Sequence, residues 1–483
     1  MRRALVVAAV ATLVAVATAH AQRGVYDIVI RGGRVIDPES RLDAVRNIGI
    51  RNGRVAAISA ASLRGKQTID ATGLVVTPGF IDLHAHGQDD ENYRLFAMDG
   101  VTTALELEAG TADVPKFYDT RAGKALINFG AAASHIKARM TVMHDGGIAA
   151  GTLLPLDSAG HNLASFAQIA EMRRFIDAGL DAGGLGVGMG LQYTPAATKY
   201  EVLEAFRSAA RRHAPVFVHT RSWGETDPGS SVESYMEVIA ASAISGAPLH
   251  IVHLNSTSLA ATPRTLALIA EARSRGLDVT AEAYPYLAGM TELASPLLDR
   301  YANGPDSLFA TLMLARTGER LTRATFIANR KPGEVVILFV NTPDMEAMAI
   351  TSPLTAIASD GRVMNGVGHP RAAGTFARVL GHYVRESHEL SLPDAIRKMT
   401  LMPAQRLEQL APVFRTKGRL RVGADADISI FDPATVTDQS TYQKPATPSM
   451  GFRYVLVNGV PVVRDGAIVE GVFPGRGQRA PTH

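Results

Sequence analysis

The sequence predicts an α/β fold: a (β/α)8 barrel carrying a small β-sandwich assembled from the two ends of the chain. Three observations lead there. Through the middle ~300 residues, short apolar runs alternate with amphipathic stretches, the pattern of parallel strand-helix units. Both ends instead show period-2 alternation broken by Asn-Gly turns, the pattern of hairpins. Histidines and carboxylates gather where the central apolar runs stop, and barrels place chemistry at strand ends.

Taken in order, residues 1–21 read as a secretory leader. Met1-Arg2-Arg3 supplies the charged start, Ala4 to about Ala17 the apolar stretch, and Ala19-His20-Ala21 the small-residue cleavage site. The apolar run falls short of the ~20 residues a membrane span needs, and no cysteine follows for lipid attachment. The chain is therefore expected to be exported to a periplasm or secreted, with no membrane association after cleavage. Residues 25–76 form the first part of the sandwich. Asp27-Ile28-Val29-Ile30 and Ile48-Gly49-Ile50-Arg51-Asn52-Gly53-Arg54-Val55 point to a small antiparallel sheet with a tight turn at Asn52-Gly53. Residues 77–416 form the barrel, with helices expected over Leu163 to Ala182, Tyr200 to Arg212, Ser231 to Ser245 and Leu259 to Arg275. Within it, residues 290–350 break the pattern with Pro296, Gly304, Pro305 and Gly333 and read as an insertion over the active-site mouth. Residues 417–475 return to strand-turn-strand texture around Asn458-Gly459 and complete the sandwich.

Composition narrows the chemistry before any motif is considered. Lys+Arg 49 against Asp+Glu 46 leaves the chain near neutral, which gives nucleic acid no basic surface to bind. Cys 0 excludes disulfides, thiolate nucleophiles and cysteine-based metal sites, so a metal here must be held by imidazole and carboxylate.

Such a set is present. His84 and His86 follow the run Pro78-Gly79-Phe80-Ile81-Asp82-Leu83, and period-2 alternation turns both imidazoles to one side. The next run ends Leu105-Glu106-Leu107-Glu108-Ala109-Gly110, with both carboxylates on one face. A buried carboxylate requires a cation or a basic partner, so Glu108 is the candidate bridging ligand and Glu106 the second choice, a pair of rim glutamates being the alternative. His219 and His253 end two further runs, whereas His250 begins its run and reads as structural. Asp360, closing Leu354-Thr355-Ala356-Ile357-Ala358-Ser359-Asp360, is placed to act as general base and acid. Histidines from several strands, a carboxylate ligand and a strand-end aspartate together describe a hydrolytic metal site. His135 is a pocket candidate only, and Lys137 reads as a charged rim residue on the third strand.

These residues, with Ile30-Arg31-Gly32-Gly33, Gly190-Leu191-Gln192-Tyr193-Thr194-Pro195, Glu282-Ala283-Tyr284-Pro285-Tyr286, Ser359-Asp360-Gly361, His369-Pro370-Arg371 and Gly374-Thr375-Phe376, make the chain resemble the amidohydrolase superfamily. Within it the likeness is to the N-acyl-D-amino-acid deacylases (D-aminoacylases). The resemblance implies a distorted TIM-like barrel, one or two zinc or other divalent ions on His84, His86, His219 and His253, and Asp360 as acid/base. It also places Tyr193, Tyr284 and Arg371 near the substrate, where a guanidinium can clamp a carboxylate. Three departures stand out. Glu108-Ala109-Gly110 replaces the family's Asn-Cys-Gly, so that a glutamate substitutes for the cysteine ligand or one metal is lost. Asn255 stands where the family has a substrate-binding lysine, and Leu287-Ala288-Gly289-Met290-Thr291 replaces a stretch rich in serine and threonine.

The implied activity is hydrolysis of a linear amide in a small molecule, an N-acyl amino acid with D preference undetermined. The alternative is a cyclic amidase of dihydroorotase or hydantoinase type, and the retained histidines argue against a non-catalytic scaffold. A homo-oligomer is left open.

Overall fold

The computed structural model describes residues 25–482, so the leader assigned to 1–21 lies outside the described residues. Eight parallel strands follow one another around the barrel: β1 (Phe80–Asp82), β2 (Val101–Thr111), β3 (Asn128–Ser134), β4 (Val187–Gly190), β5 (Val216–His219), β6 (Leu249–Ile251), β7 (Val279–Ala283) and β8 (Thr355–Ile357). Neighbours in sequence are neighbours in the sheet, as right-handed strand-helix-strand units require. Closure between β8 and β1 is irregular. The Gly361 carbonyl accepts from His86 N–H and Gly87 N–H at 3.0 and 3.1 Å, and the Asp82 carboxylate accepts from Ser359 N–H at 3.0 Å.

The enclosing helices begin at residues that satisfy their first free N–H groups. Ser165 and Gln168 form a reciprocal cap on Phe166–Asp181, Thr198 caps Lys199–Ala210, and Ser230 caps Ser231–Ser245, which ends at left-handed Gly246. The stretch expected to be helical from Leu259 becomes a long helix only at Thr262, because Leu259 has φ 46° and Pro263 suits a first turn.

The ends of the chain build one continuous nine-stranded sheet. Val75–Pro78 pairs with Ile428–Phe431, and this contact joins the terminal halves and leads directly into β1. Asn52-Gly53 and Asn458-Gly459 all have positive φ, as two-residue hairpin turns demand. The sheet is not purely antiparallel as expected: Tyr26–Asp37 runs parallel to both Gly65–Asp70 and Val75–Pro78. Hairpin signals fix only adjacent strands, and these pairings skip over a hairpin. Inward alternation places Ile30, Ile48, Val55, Val76, Ile428 and Leu456 in one apolar core.

Residues 288–339 contribute a three-stranded antiparallel sheet of Ala288–Glu292, Val335–Phe339 and Leu312–Leu314. Leu298, Tyr301, Phe309 and Phe326 pack beneath it, in contact with Ala109, Ile136, Leu154 and Tyr193 of the barrel. The insertion thereby roofs the C-terminal ends of the strands. Among the described residues no helix is long and apolar enough to cross a membrane.

Candidate metal centre

The strand ends bring four donor atoms to one point. His84 Nε2 and His86 Nε2 are 3.1 Å apart. Glu108 Oε2 lies 3.2 Å from the first and 3.1 Å from the second, and Asp360 Oδ1 lies 3.4 and 3.3 Å from them. A tetrahedral ion with ligands at ~2.0–2.1 Å requires ligand separations of about 3.3–3.4 Å. The five edges named lie at or just below that figure, and two sets of three, His84/His86/Asp360 and His84/Glu108/His253, gather donor atoms closely enough to hold an ion.

The protons at this point also call for a cation. His84 Nδ1 donates to Glu282 Oε1 at 2.6 Å, and His86 Nδ1 donates to Glu106 Oε2 at 2.9 Å. Each imidazole therefore turns a bare lone pair inward, held by an outer carboxylate in the manner typical of ligating histidines. Two lone pairs and two carboxylate oxygens repel one another unless positive charge sits among them. The field reflects this: burial disfavours charge on His84, yet Asp360, Glu108 and Glu282 outweigh it and raise its pKa to about 10.

Glu108 also faces a second group. Its Oε1 is 2.9 Å from His219 Nδ1 and 3.4 Å from His253 Nε2. His219 Nε2 lies 2.7 Å from Gln192 Oε1, and the tautomer that donates there offers Nδ1 as the lone pair for an ion. His253 Nδ1 meets the Ser256 hydroxyl at 3.1 Å. One glutamate thus touches two imidazole pairs through its two oxygens, an arrangement suited to bridging two ions.

Local backbone geometry produces this placement. The β2–β3 register slips between Glu106 and Thr111, lifting Glu108 toward the histidines. The slip requires glycine across from it, since a Cβ at Gly188 would lie 2.4 Å from the Glu108 carbonyl oxygen. His253 and Asp360 both adopt left-handed backbone conformations, φ 32° and 53°. Such strain costs ~1–3 kcal/mol and persists where surrounding contacts impose it.

Arg371 is buried, and its Nη2 forms an ion pair with Asp360 Oδ2 at 2.8 Å. Burial pushes the Asp360 carboxyl up, but Arg371 and then His84 outweigh it and hold it well below the usual range. The other guanidinium nitrogens of Arg371, and the Tyr284 hydroxyl beneath its 4.6 Å cation–π contact, have no partner among the described residues. The Tyr193 ring packs against His219, centroids 4.7 Å apart and planes tilted by 58°. Around these groups lie two clefts, one walled by Trp223, Met290, Leu297, Leu338 and Val340, the other by Leu153, Leu154, Glu292, Arg362 and Arg371.

Not every expected residue reaches the clefts. Asn255 is buried and pins the Tyr284 backbone, donating to its carbonyl at 3.1 Å and accepting its N–H at 3.4 Å. It holds the Tyr284 backbone and lines neither cleft, although the sequence places it at the position of a substrate-binding residue. Lys137 lies on the helix His135–Val142, not on the third strand, and donates to the Thr152 carbonyl. His135 bonds Glu201 beside buried Arg139. His250 joins Thr280 to Glu282.

Sequence reasoning missed Glu282, Gln192, Trp223 and Arg362. For Glu282 a signal existed, a carboxylate inside the apolar run Val279-Thr280-Ala281-Glu282-Ala283. The other three sit in loops where no periodicity applies.

Comparison with known proteins agrees with this geometry. The sequence model of the amidohydrolase family matches residues 67–297 and 333–463, leaving out most of the roofing insertion. A D-aminoacylase of Alcaligenes xylosoxydans xylosoxydans is 30% identical over 92% of this chain and 95% of its own. An N-acyl-D-glutamate deacylase of the same organism is 31% identical over 90% and 93%. The crystal structure of an N-acyl-D-glutamate deacylase from Bordetella bronchiseptica, complexed with zinc and a phosphonate mimic of the tetrahedral intermediate, superposes with a TM-score of 0.81. It shares 26% identity and covers 95% of this chain and 100% of its own.

Proposed function

We propose, from the premise that the chain belongs to the amidohydrolase family, that it hydrolyses the linear amide of N-acyl-D-amino acids, releasing a carboxylic acid and a free amino acid. The observation that carries this reading is the gathering of His84, His86, Glu108 and Asp360 around inward-facing donor atoms, which would hold a divalent ion, with the aspartate also paired to Arg371. Zinc suits nitrogen and oxygen donors at these separations. When bound, such an ion polarises the scissile carbonyl and acidifies water.

The chain supplies the remainder. Asp360, kept ionised by Arg371 and His84, takes the proton of the attacking water and delivers it to the departing amine. The free N–H groups of Arg371 suit the amino-acid carboxylate, and the unpartnered Tyr284 hydroxyl suits a carbonyl oxygen. Against the family pattern, no lysine assists, because Asn255 is turned to the backbone. Of the two clefts, the one lined by Leu153 and Leu154 carries Arg362 and Arg371 and suits the carboxylate end, whereas among the described residues the wall of Trp223, Met290, Leu297, Leu338 and Val340 carries no lysine or arginine. That supports an uncharged, apolar side chain over an acidic one. Export of the mature chain belongs to the same proposal and is supported by the leader sequence of residues 1–21.

The test is amine release by the zinc-loaded protein from matched N-acetyl D- and L-methionine, leucine and glutamate. Turnover of the D forms, with methionine and leucine ahead of glutamate, is expected. Equal turnover of the L forms, or faster ring opening of dihydroorotate or a hydantoin, would overturn the reading.

A further inference from the structure

A cavity of about 360 Å³ lies at the opposite end of the barrel, between the starts of β6, β7 and β8 and the helices Leu392–Met399 and Leu401–Leu407. Three guanidinium groups line it, those of Arg273, Arg397 and Arg406, against the single carboxylate of Asp278. Asp278 is already engaged, accepting both Nη groups of Arg406 at 2.8 and 2.6 Å. Arg273 has one N–H on the Val279 carbonyl, and Arg397 has neither a hydrogen bond nor an ion pair among the described residues. Arg406 is itself more than nine-tenths buried, and its Nε has no acceptor.

We infer that this cavity binds a small oxyanion, a phosphate or a carboxylate, separately from the metal centre. Like charges gathered in a concave, partly desolvated space raise one another's energy, and an anion relieves that repulsion. Guanidinium forks match the paired oxygens of carboxylate and phosphate, and Thr280 and Gln405 on the same wall add neutral hydrogen-bonding groups. A single enclosed arginine already neutralised by Asp278 would give no such preference. The two further cations do.

Isothermal titration calorimetry on the zinc-loaded full chain, with inorganic phosphate and succinate as separate probes, tests this. Oxyanions also bind metal ions, so the double variant Arg273→Gln/Arg397→Gln and the single Arg397→Gln run alongside. Both residues are exposed or half-buried and lie outside the catalytic machinery, so amine release should stay at the parent level. One saturable event per chain is expected, weakened at least about tenfold in the double variant, roughly the worth of one charge-assisted contact. Saturation by phosphate alone would mark a phosphoryl ligand, and by succinate alone a dicarboxylate. Binding of neither probe, or binding of equal strength in the double variant, would overturn the inference, the second result assigning the event to the metal centre.

Discussion

Glu282 supplies no donor atom to the metal cluster and lines neither cleft, yet Glu282→Gln should weaken one metal position selectively. Its Oε1 accepts His84 Nδ1–H at 2.6 Å and its Oε2 accepts His250 Nε2–H at 3.0 Å. Arg406, which can only donate, bonds the Thr280 hydroxyl at 3.2 Å, and that hydroxyl donates to His250 Nδ1 at 2.7 Å. The protons along Arg406, Thr280, His250, Glu282 and His84 are therefore ordered so that His84 keeps its Nδ1 proton and Nε2 is the nitrogen offered to an ion. Burial opposes charge on Glu282, but His84 and then His250 outweigh it and bring its pKa down to about 2, keeping both oxygens acceptors.

A glutamine offers one acceptor and one NH2. If the NH2 faces His84, the imidazole proton moves to Nε2 and the ligand is lost. If it faces His250, the Thr280 hydroxyl must turn to the Leu249 carbonyl, a long 3.4 Å. In both cases the charge that made His84 a stronger ligand is gone. Removal of such outer partners costs ~10–100-fold in metal affinity, which at 1.36 kcal/mol per decade is about 1.4–2.7 kcal/mol. Zinc titration against a chromophoric chelator reads it directly. The step assigned to His84 and His86 should weaken, while the step assigned to Glu108, His219 and His253 holds. Unchanged affinity in both steps, with the zinc-free variant as stable as the parent, would refute the proton-ordering argument.

Other outcomes follow from the same contacts. Glu108→Gln should weaken both zinc steps, because each oxygen serves a different histidine pair, as measured by metal content after dialysis. Arg371→Gln should lower kcat/KM at least about 30-fold, the equivalent of the ~2 kcal/mol minimum for breaking a buried charge pair. Lys417→Met should cost ~3–5 kcal/mol by urea denaturation at neutral pH, because Asp427 and Asp425 remain buried without their partner at 2.6 and 3.2 Å. Burial works against charge on Lys417, but those aspartates outweigh it and hold its pKa above 10.5. Its stabilisation is therefore complete below pH 10.5 and fades only above that, so the gap between parent and variant should narrow as the pH rises past that point. N-terminal sequencing of exported protein should begin at Gln22.

The parts that sequence made legible are those governed by local rules. Two-residue turns at Asn52-Gly53 and Asn458-Gly459, the capped helix Ser231–Ser245, and histidines at strand ends all follow from backbone preference or periodicity. Glu106 and Glu108 were readable as a pair facing one way, but their division of labour was not, because it depends on a register slip opposite Gly188. The orientation of Asn255 was not readable, because a polar side chain two residues beyond a ligand can turn toward the clefts or back to the chain, and only the nearby Tyr284 backbone decides. The parallel pairings of Tyr26–Asp37 and the proton chain behind His84 join residues far apart in sequence, beyond the reach of any local pattern.

The most direct test of the account is amine release from N-acetyl-D-methionine by zinc-loaded Asp360→Asn beside the parent protein, with zinc content measured on the same samples. Zinc retained at Glu108, His219 and His253 with turnover reduced ~10²–10⁴-fold is predicted for loss of the proton-transferring group. Turnover within a few-fold of the parent, from a variant that holds its zinc, would contradict it.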